Sequence, residues 1–146
     1  MLNLPEIDMD AWIENKQQMN ITKMFTQYGE EYFRNVESTC LREISLQEAS
    51  IVSCGGGAVL RNENVSCMKE TGCIVLLTAI PETVYHRVKH STNRPLLNGN
   101  MNVEYISMLM ERRRTIYESA CDCIVSTDGK NPTEIAEEII AFYSTL

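Results

Sequence analysis

The stretch IVSCGGGAVLR, residues 51–61, places three consecutive glycines directly after a short apolar run. Glycines in this position are typical of a loop whose backbone N–H groups cradle phosphates. A phosphate loop of the GxxxxGK[ST] type also carries a lysine, and no lysine follows this triplet. The role of the triplet therefore has to be found from the segments around it.

Short apolar segments alternate with longer segments of helical spacing along the chain. The apolar segments predict buried strands: LPEI (4–7), SIVSC (50–54), CIVLLTA (73–79) and CDCIVST (121–127). Helical spacing covers residues 11–18, 21–46 with a break near Gly29, 61–70, 81–91, 102–119 and 132–145. Strands that alternate with helices favour an α/β domain in which helices cover both faces of a parallel sheet.

Length, charge and cysteine content limit the class of protein. A chain of 146 residues suits a single domain, here 1–146. A net charge of −7 works against binding to nucleic acid or to an anionic membrane surface. The six cysteines lack metal-site spacing and indicate small core residues in a reducing compartment, and no apolar leader or membrane span is visible. We therefore expect a soluble cytoplasmic protein without a nucleic-acid or membrane partner.

The helix at 102–119 carries an arginine in an unusual position. At 100° per residue, Arg113 falls near the middle of an apolar arc, whereas Arg112 and Arg114 fall on its two flanks. The flanking arginines suit a solvated helix face. An inward-facing Arg113 needs an anion to offset its desolvation.

A second arginine lies on the long helix after Gly29. Arg34 and Glu37 are spaced i, i+3, and Glu37 shares an arc with the apolar residues of that helix. Glu37 is therefore expected to hold the guanidinium in place. A simple intrahelical salt bridge explains the pair equally well.

The segment EIDMDAWI, residues 6–13, ends a predicted strand with two carboxylates, Asp8 and Asp10. Ligands of open α/β sheets bind at the carboxyl ends of parallel strands. Asp10 suits such a site, and it also suits the N-cap of the following helix. Lys130, in TDGKNP, suits an ordinary turn.

Six segments together resemble the shikimate kinase family, of the P-loop, nucleoside-monophosphate-kinase-like fold. They are LPEIDMDAWIE, YGEEYFRNVE, CGGGAVL, NRPLL, ERRRTIY and STDGKNP, in the family's order from about residue 4 to the C-terminus. The resemblance implies a three-layer α/β fold, with ATP and Mg²⁺ as cofactors. It implies phosphorylation of the 3-hydroxyl of shikimate, a step toward the aromatic amino acids.

The resemblance implies which residues bind shikimate. Arg34 and Arg113 would clamp its carboxylate, and Glu37 would orient Arg34. The glycine triplet would line the pocket so that the main chain comes close to the substrate, with amide donors at the last two glycines; its members are Gly55, Gly56 and Gly57.

The resemblance also implies the catalytic and nucleotide-side residues. Asp10 would hold the reacting hydroxyl and take its proton, and Asp8 would hold Mg²⁺ through water. Arg94, in a mobile, lid-like loop at about 91–104, would neutralise the charge of the transferring phosphate. Lys130 would lie along the adenine.

The sequence departs from the family at its start. Family members begin with a strand, a GxxxxGK[ST] loop and a helix before the DxD segment, and here DMD stands at residues 8–10. The absent unit, about 25 to 30 residues, includes the central first strand of the sheet. We therefore expect the chain to be nearly inert toward ATP, because several phosphate-binding donors are missing. Unpaired strand edges predict self-association, although the family is usually monomeric.

Two other functions stay open. One is a non-catalytic remnant that acts as a binding or interaction module. The other is a different small-molecule kinase of the same superfamily, such as a gluconate kinase. The glycine triplet and the pair of arginines suit a ring carboxylate and favour a shikimate kinase.

Overall fold

The computed structural model of this chain describes residues 2–146, which form two compact units. The N-terminal unit comprises residues 3–72 and 93–95. The C-terminal unit comprises residue 2 and residues 73–92 and 96–146. Each unit is described by itself below.

The N-terminal unit consists of two parallel strands and three α-helices. Its elements are β1 (Glu6–Asp8), α1 (Met9–Gln17), α2 (Ile21–Ser45), β2 (Ile51–Ser53), a 3₁₀ turn (Ala58–Leu60) and α3 (Asn62–Thr71). Strand β1 runs parallel to β2, with Glu6 opposite Ile51 and Asp8 opposite Ser53. The carboxyl ends of both strands therefore lie at the same edge of the sheet.

Helix α2 supplies most of the core of the N-terminal unit. Its apolar side packs with residues of α1 around a buried cluster: Met9, Ile13, Ile21, Met24, Phe33, Cys40, Leu41 and Ile44. Gly29 interrupts the helix with φ 86° and ψ 171°, which confirms the predicted break. This backbone region is accessible essentially to glycine alone, so that Gly29 sets the direction of the helix from Glu30 onward.

The C-terminal unit also contains a pair of parallel strands. Its elements are β3 (Val75–Thr78), α4 (Pro81–Val88), α5 (Val103–Ala120), β4 (Cys123–Ser126) and α6 (Pro132–Tyr143). Strand β3 pairs with β4, with Val75 opposite Cys123 and Thr78 opposite Ser126. Asn131 begins α6 with a capping box, since its side chain and that of Glu134 each accept from the other's backbone N–H.

The predicted fold class is confirmed, because the strands are parallel and alternate with helices along the chain. The four strands form two separate pairs, since no strand within residues 2–146 hydrogen-bonds to both pairs. Apolar side chains on these strands remain accessible: Ile51 is 47% exposed, and Leu77 and Ile124 are each 53% exposed. Self-association stays a prediction.

The segment between α4 and α5 contains neither helix nor strand from residue 89 to residue 102, as the predicted loop requires. The cysteines only partly follow the prediction. Only Cys40 is fully buried and Cys54 is exposed, so the expectation that all six lie in the core is wrong. No helix within residues 2–146 is long and apolar enough to cross a bilayer.

Candidate functional site

The two carboxylates after β1 have different surroundings. Asp8 is the N-cap of α1, where its Oδ1 accepts a hydrogen bond from the Ala11 N–H at 3.1 Å. Asp10 lies in the first turn of that helix, so the alternative in which Asp10 is the cap is wrong. Its carboxylate is directed toward Gly55, where a Cβ would stand 3.4 Å from Asp10 Oδ1.

Helix α2 carries a buried ion pair beside this carboxylate. Arg34 Nη1 donates to Glu37 Oε1 at 2.9 Å, and Arg34 Nη2 donates to Glu30 Oε1 at 3.2 Å. Arg34 is 8% exposed and Glu37 is 1% exposed. The predicted i, i+3 pair is therefore present. It differs from a simple surface salt bridge because both of its side chains are buried.

The glycine triplet packs against this pair. A Cβ on Gly57 would overlap the guanidinium group of Arg34. A Cβ on Gly55 would stand 3.8 Å from Glu37 Oε2. The φ of Gly57 is −90°, which any residue adopts, so the glycine is needed there for space rather than for backbone freedom. Gly56, between them, is exposed.

The carboxylates of this cluster are shifted toward the protonated form. Burial raises the pKa of Asp10, and the neighbouring Asp8 raises it further, while the guanidinium groups of Arg94 and Arg34 lower it. Burial also raises the pKa of Glu37, against the lowering effect of Arg34. An aspartate with a raised pKa is a stronger base when it is ionised, which suits proton acceptance from a hydroxyl.

Arg94 lies in the loop before α5, within the short segment 93–95 that belongs to the N-terminal unit. The residue is exposed, and its charge acts on Asp10. The predicted site residues Asp10, Arg34, Glu37, Gly55, Gly57 and Arg94 are thus brought together within one unit.

Arg113 and Lys130 belong to the C-terminal unit. Arg113 is partly buried on α5 and donates to the Tyr117 hydroxyl at 3.3 Å, whereas Arg112 and Arg114 are exposed. This contrast follows the predicted helical register, although Ile116 on the same predicted arc is 39% exposed. Lys130 donates to Glu138 at 2.9 Å, so the turn lysine has a carboxylate partner.

Two further residues with polar contacts were not singled out from the sequence. Arg61, the last residue of the opening stretch, binds three side chains of α2, and Asn64 donates to the Ala58 carbonyl at 2.8 Å. Asn64 is 2% exposed. The only sequence signal for these two residues is their position just after the glycine triplet, because their partners lie elsewhere in the chain or on the backbone.

A cluster of polar groups at the carboxyl ends of parallel strands is the usual position of a ligand site in α/β proteins, and comparison with known proteins identifies the family. The family model described as shikimate kinase matches residues 1–144. The chain belongs to the shikimate kinase family and is a phosphotransferase of that family.

Individual relatives agree with this assignment. A shikimate kinase of Thermodesulfovibrio yellowstonii is 38% identical over 140 residues, which cover 96% of this chain and 80% of that protein. One of Dehalococcoides mccartyi is 38% identical over 138 residues, covering 94% and 78%. The solved structure of shikimate kinase from Acinetobacter baumannii in complex with shikimate superposes with a TM-score of 0.92 at 26% identity, covering 97% of this chain and 79% of that chain.

The space left by Gly57 yields a stability prediction. Gly57→Ala should lower the free energy of unfolding by about 1–3 kcal/mol, because the new methyl group displaces a buried guanidinium. In an Arg34→Met background the same change should cost much less, because the overlapping atoms are gone. Urea unfolding of the four proteins measures both costs. Gly72→Ala, where the nearest atom is 3.8 Å away, is the control; equal costs in the two backgrounds would show that Arg34 is not the obstacle.

The charges around Asp10 yield a pKa prediction. Asp8→Asn keeps an N-cap residue and removes a like charge, so the pKa of Asp10 should fall. Arg94→Met removes a positive charge, so the pKa of Asp10 should rise. A carboxyl-carbon NMR titration of the three proteins measures the shifts. An Asp10 pKa that does not respond to Arg94→Met would place this arginine away from the carboxylate.

Proposed function

We propose that this protein acts on shikimate in ATP-dependent phosphorylation of the 3-hydroxyl. The residues described here form the part of the site that binds shikimate, the phosphoryl acceptor. The observation that carries the proposal is the buried Arg34–Glu37 pair facing Asp10 across the glycine loop. This cluster offers a guanidinium for a carboxylate and a carboxylate for a hydroxyl within one compact unit. The family membership and the shikimate complex of the Acinetobacter baumannii relative support the same substrate.

Arg34 binds the ring carboxylate in this proposal, and the resemblance gives Arg113 the same role. A guanidinium presents two parallel N–H donors that match a planar carboxylate. Glu37 holds one edge of Arg34, so that the guanidinium is already oriented before the substrate arrives, which reduces the entropy lost on binding. Gly56 and Gly57 offer backbone N–H donors to the substrate, and Gly55 keeps the chain close to Asp10.

Asp10 is the proposed proton acceptor. Its ionised carboxylate accepts a hydrogen bond from the 3-hydroxyl and takes that proton as the oxygen becomes the nucleophile. Burial raises the pKa of Asp10, which makes the carboxylate a better base. The proton ends on the Asp10 carboxyl group.

The residues present do not form a site for the phosphates of ATP, because none of the 146 residues belongs to a GxxxxGK[ST] segment. Within residues 2–146, no group of three or more acidic, histidine or cysteine side chains is placed to hold a metal ion. ATP and Mg²⁺ remain the cofactors proposed from the resemblance, with Asp8 for Mg²⁺ through water and Arg94 and Lys130 for the nucleotide. Cytoplasmic location is proposed likewise, because the spacing of the six cysteines does not indicate a disulfide framework and suits a reducing compartment.

A non-catalytic binding module is the second candidate function. The cluster of Arg34, Glu37 and Asp10 supports it, because a site of this kind can bind shikimate without transferring a phosphoryl group. The two candidates share the shikimate site and differ in turnover. A different small-molecule kinase would instead fail the binding experiment below.

Binding of shikimate by the 146-residue chain tests the acceptor site. Titration calorimetry should detect binding, and Arg113→Ala should weaken it by about 30-fold or more, since a lost charge pair in a buried site costs about 2–5 kcal/mol. Arg112→Ala, on the exposed flank of the same helix, is the matched control and should change the affinity by less than about twofold. Equal losses from the two arginines would contradict the proposed roles.

Turnover distinguishes a catalyst from a binding module. The 146-residue chain should show no phosphorylation of shikimate by ATP above background, against about 1–100 per second for typical kinases. A longer chain with a strand, a GxxxxGKS loop and a helix before Leu4 should gain activity, and Asp10→Asn in it should lower kcat more than affinity. Turnover by the 146 residues within about tenfold of typical kinases would refute the first half. A longer chain that binds ATP but never phosphorylates shikimate would favour the binding module.

A further inference from the structure

Arg61 connects the end of the glycine loop to helix α2. Its Nη2 donates to Glu31 Oε1 at 2.7 Å, and its Nη1 donates to Asn35 Oδ1 at 2.9 Å and to Ser38 Oγ at 3.4 Å. Residues 31, 35 and 38 follow one another at i, i+4 and i+7, so they form a single stripe along the helix. One guanidinium therefore binds side chains on two turns of α2.

The stripe of α2 that Arg61 binds lies beside the stripe that carries the Arg34–Glu37 ion pair. Glu30, Arg34 and Glu37 each precede a member of the Arg61 stripe by one residue, which is a rotation of about 100° around the helix axis. A rotation or slide of α2 that loosened the Arg61 contacts would move the Arg34 guanidinium relative to Gly57. The space beside Gly57 accommodates the Arg34 guanidinium only while α2 keeps this position relative to the loop.

The glycine loop is tied at both ends. On one side, the β1–β2 ladder holds the backbone as far as Ser53. On the other side, the Asn64 side chain binds the Ala58 carbonyl, and the Asn64 N–H donates to the Arg61 carbonyl at 3.0 Å. Residues 58–64 thus form one hydrogen-bonded segment, and the Arg61 side chain attaches this segment to α2.

The contacts of Arg61 are better suited to positioning than to stability. Glu31 is 84% exposed, and ion pairs with exposed partners contribute about 0–1 kcal/mol. The Arg61 guanidinium instead fixes the orientation of α2, because it binds three side chains on that helix. A site that binds a carboxylate through two N–H donors requires such a fixed orientation.

We propose that Arg61 is a positioning residue of the shikimate site, which holds α2 against the glycine loop so that Arg34 and Glu37 keep their place. This inference rests on the proposed function for its ligand. Arg61 acts through Arg34 and the loop, and the hydrogen bonds of its side chain go to α2.

The experiment compares Arg61→Met and Arg61→Lys with the unsubstituted 146-residue chain. Arg61→Met should weaken shikimate binding in titration calorimetry by about tenfold or more, because a small displacement of a binding group has large effects. Arg61→Lys keeps the charge but not the fork, so it should recover only part of the affinity. Arg114→Met is the matched control, since it removes an exposed arginine paired with Glu111 in the other unit.

Amide hydrogen exchange is measured on the same proteins without shikimate. Arg61→Met should raise exchange of the amides at residues 55–60 by about threefold or more, with little change in β1 and α1. A general loss of stability would instead raise exchange throughout the N-terminal unit. Unchanged exchange at residues 55–60, or an unchanged affinity for shikimate, would overturn the proposal.

If the unsubstituted chain binds no shikimate, the proposed function fails, and faster exchange confined to the loop would still support Arg61 as its positioning residue. If Arg61→Met does not fold, Glu31→Ala replaces it, because Glu31 is exposed and the change removes the acceptor of one Arg61 hydrogen bond. Glu31→Ala should then raise exchange at residues 55–60 and weaken shikimate binding; no change in either would overturn the proposal.

Discussion

The buried ion pair between Arg34 and Glu37 is the constraint on which the surrounding structure depends. Two charges that leave water cost several kcal/mol each, and their attraction repays this only with good geometry and further hydrogen bonds. Glu30 supplies one of these bonds, at 3.2 Å. A buried pair is weak as a source of stability, because apolar residues of the same volume do as well. A requirement for a charged, oriented guanidinium is a better reason for its presence.

The pair also determines which residues can stand opposite it. Gly57 has an ordinary φ, so the absence of a side chain there is explained by the guanidinium that fills the space. The parallel register of β1 and β2 brings the end of each strand to one edge, where Asp10, in the first turn of α1 directly after β1, is directed toward Gly55. Burial then raises the pKa values of Asp10 and Glu37 together. The packing of Gly57, the register of β1 and β2 and the raised pKa values of Asp10 and Glu37 therefore meet in one small region around the ion pair.

The parts of the site that could be predicted from the sequence are the local ones. Arg34 and Glu37 are three residues apart, and helical geometry alone brings them together. The N-cap of α1 is harder to predict, since Asp8 and Asp10 both fit a helix start; the extended backbone of Asp8, with ψ of 114°, and its hydrogen bond from the Ala11 N–H distinguish them. The contacts of Arg61 join residues 23 to 30 positions apart, and no periodicity reveals them. The pairing of four strands into two ladders is equally non-local.

The glycine triplet shows why a motif has to be interpreted through its surroundings. In a phosphate loop, glycines let backbone N–H groups curve around an anion. Here the guanidinium of Arg34 on α2 fills the space beside the triplet, and Gly57 makes room for it. A glycine can therefore leave its backbone N–H accessible to a ligand, or it can leave room for a side chain from a neighbouring element, as Gly57 does. The positive charge beside the triplet therefore comes from Arg34 on the neighbouring helix and not from the loop itself.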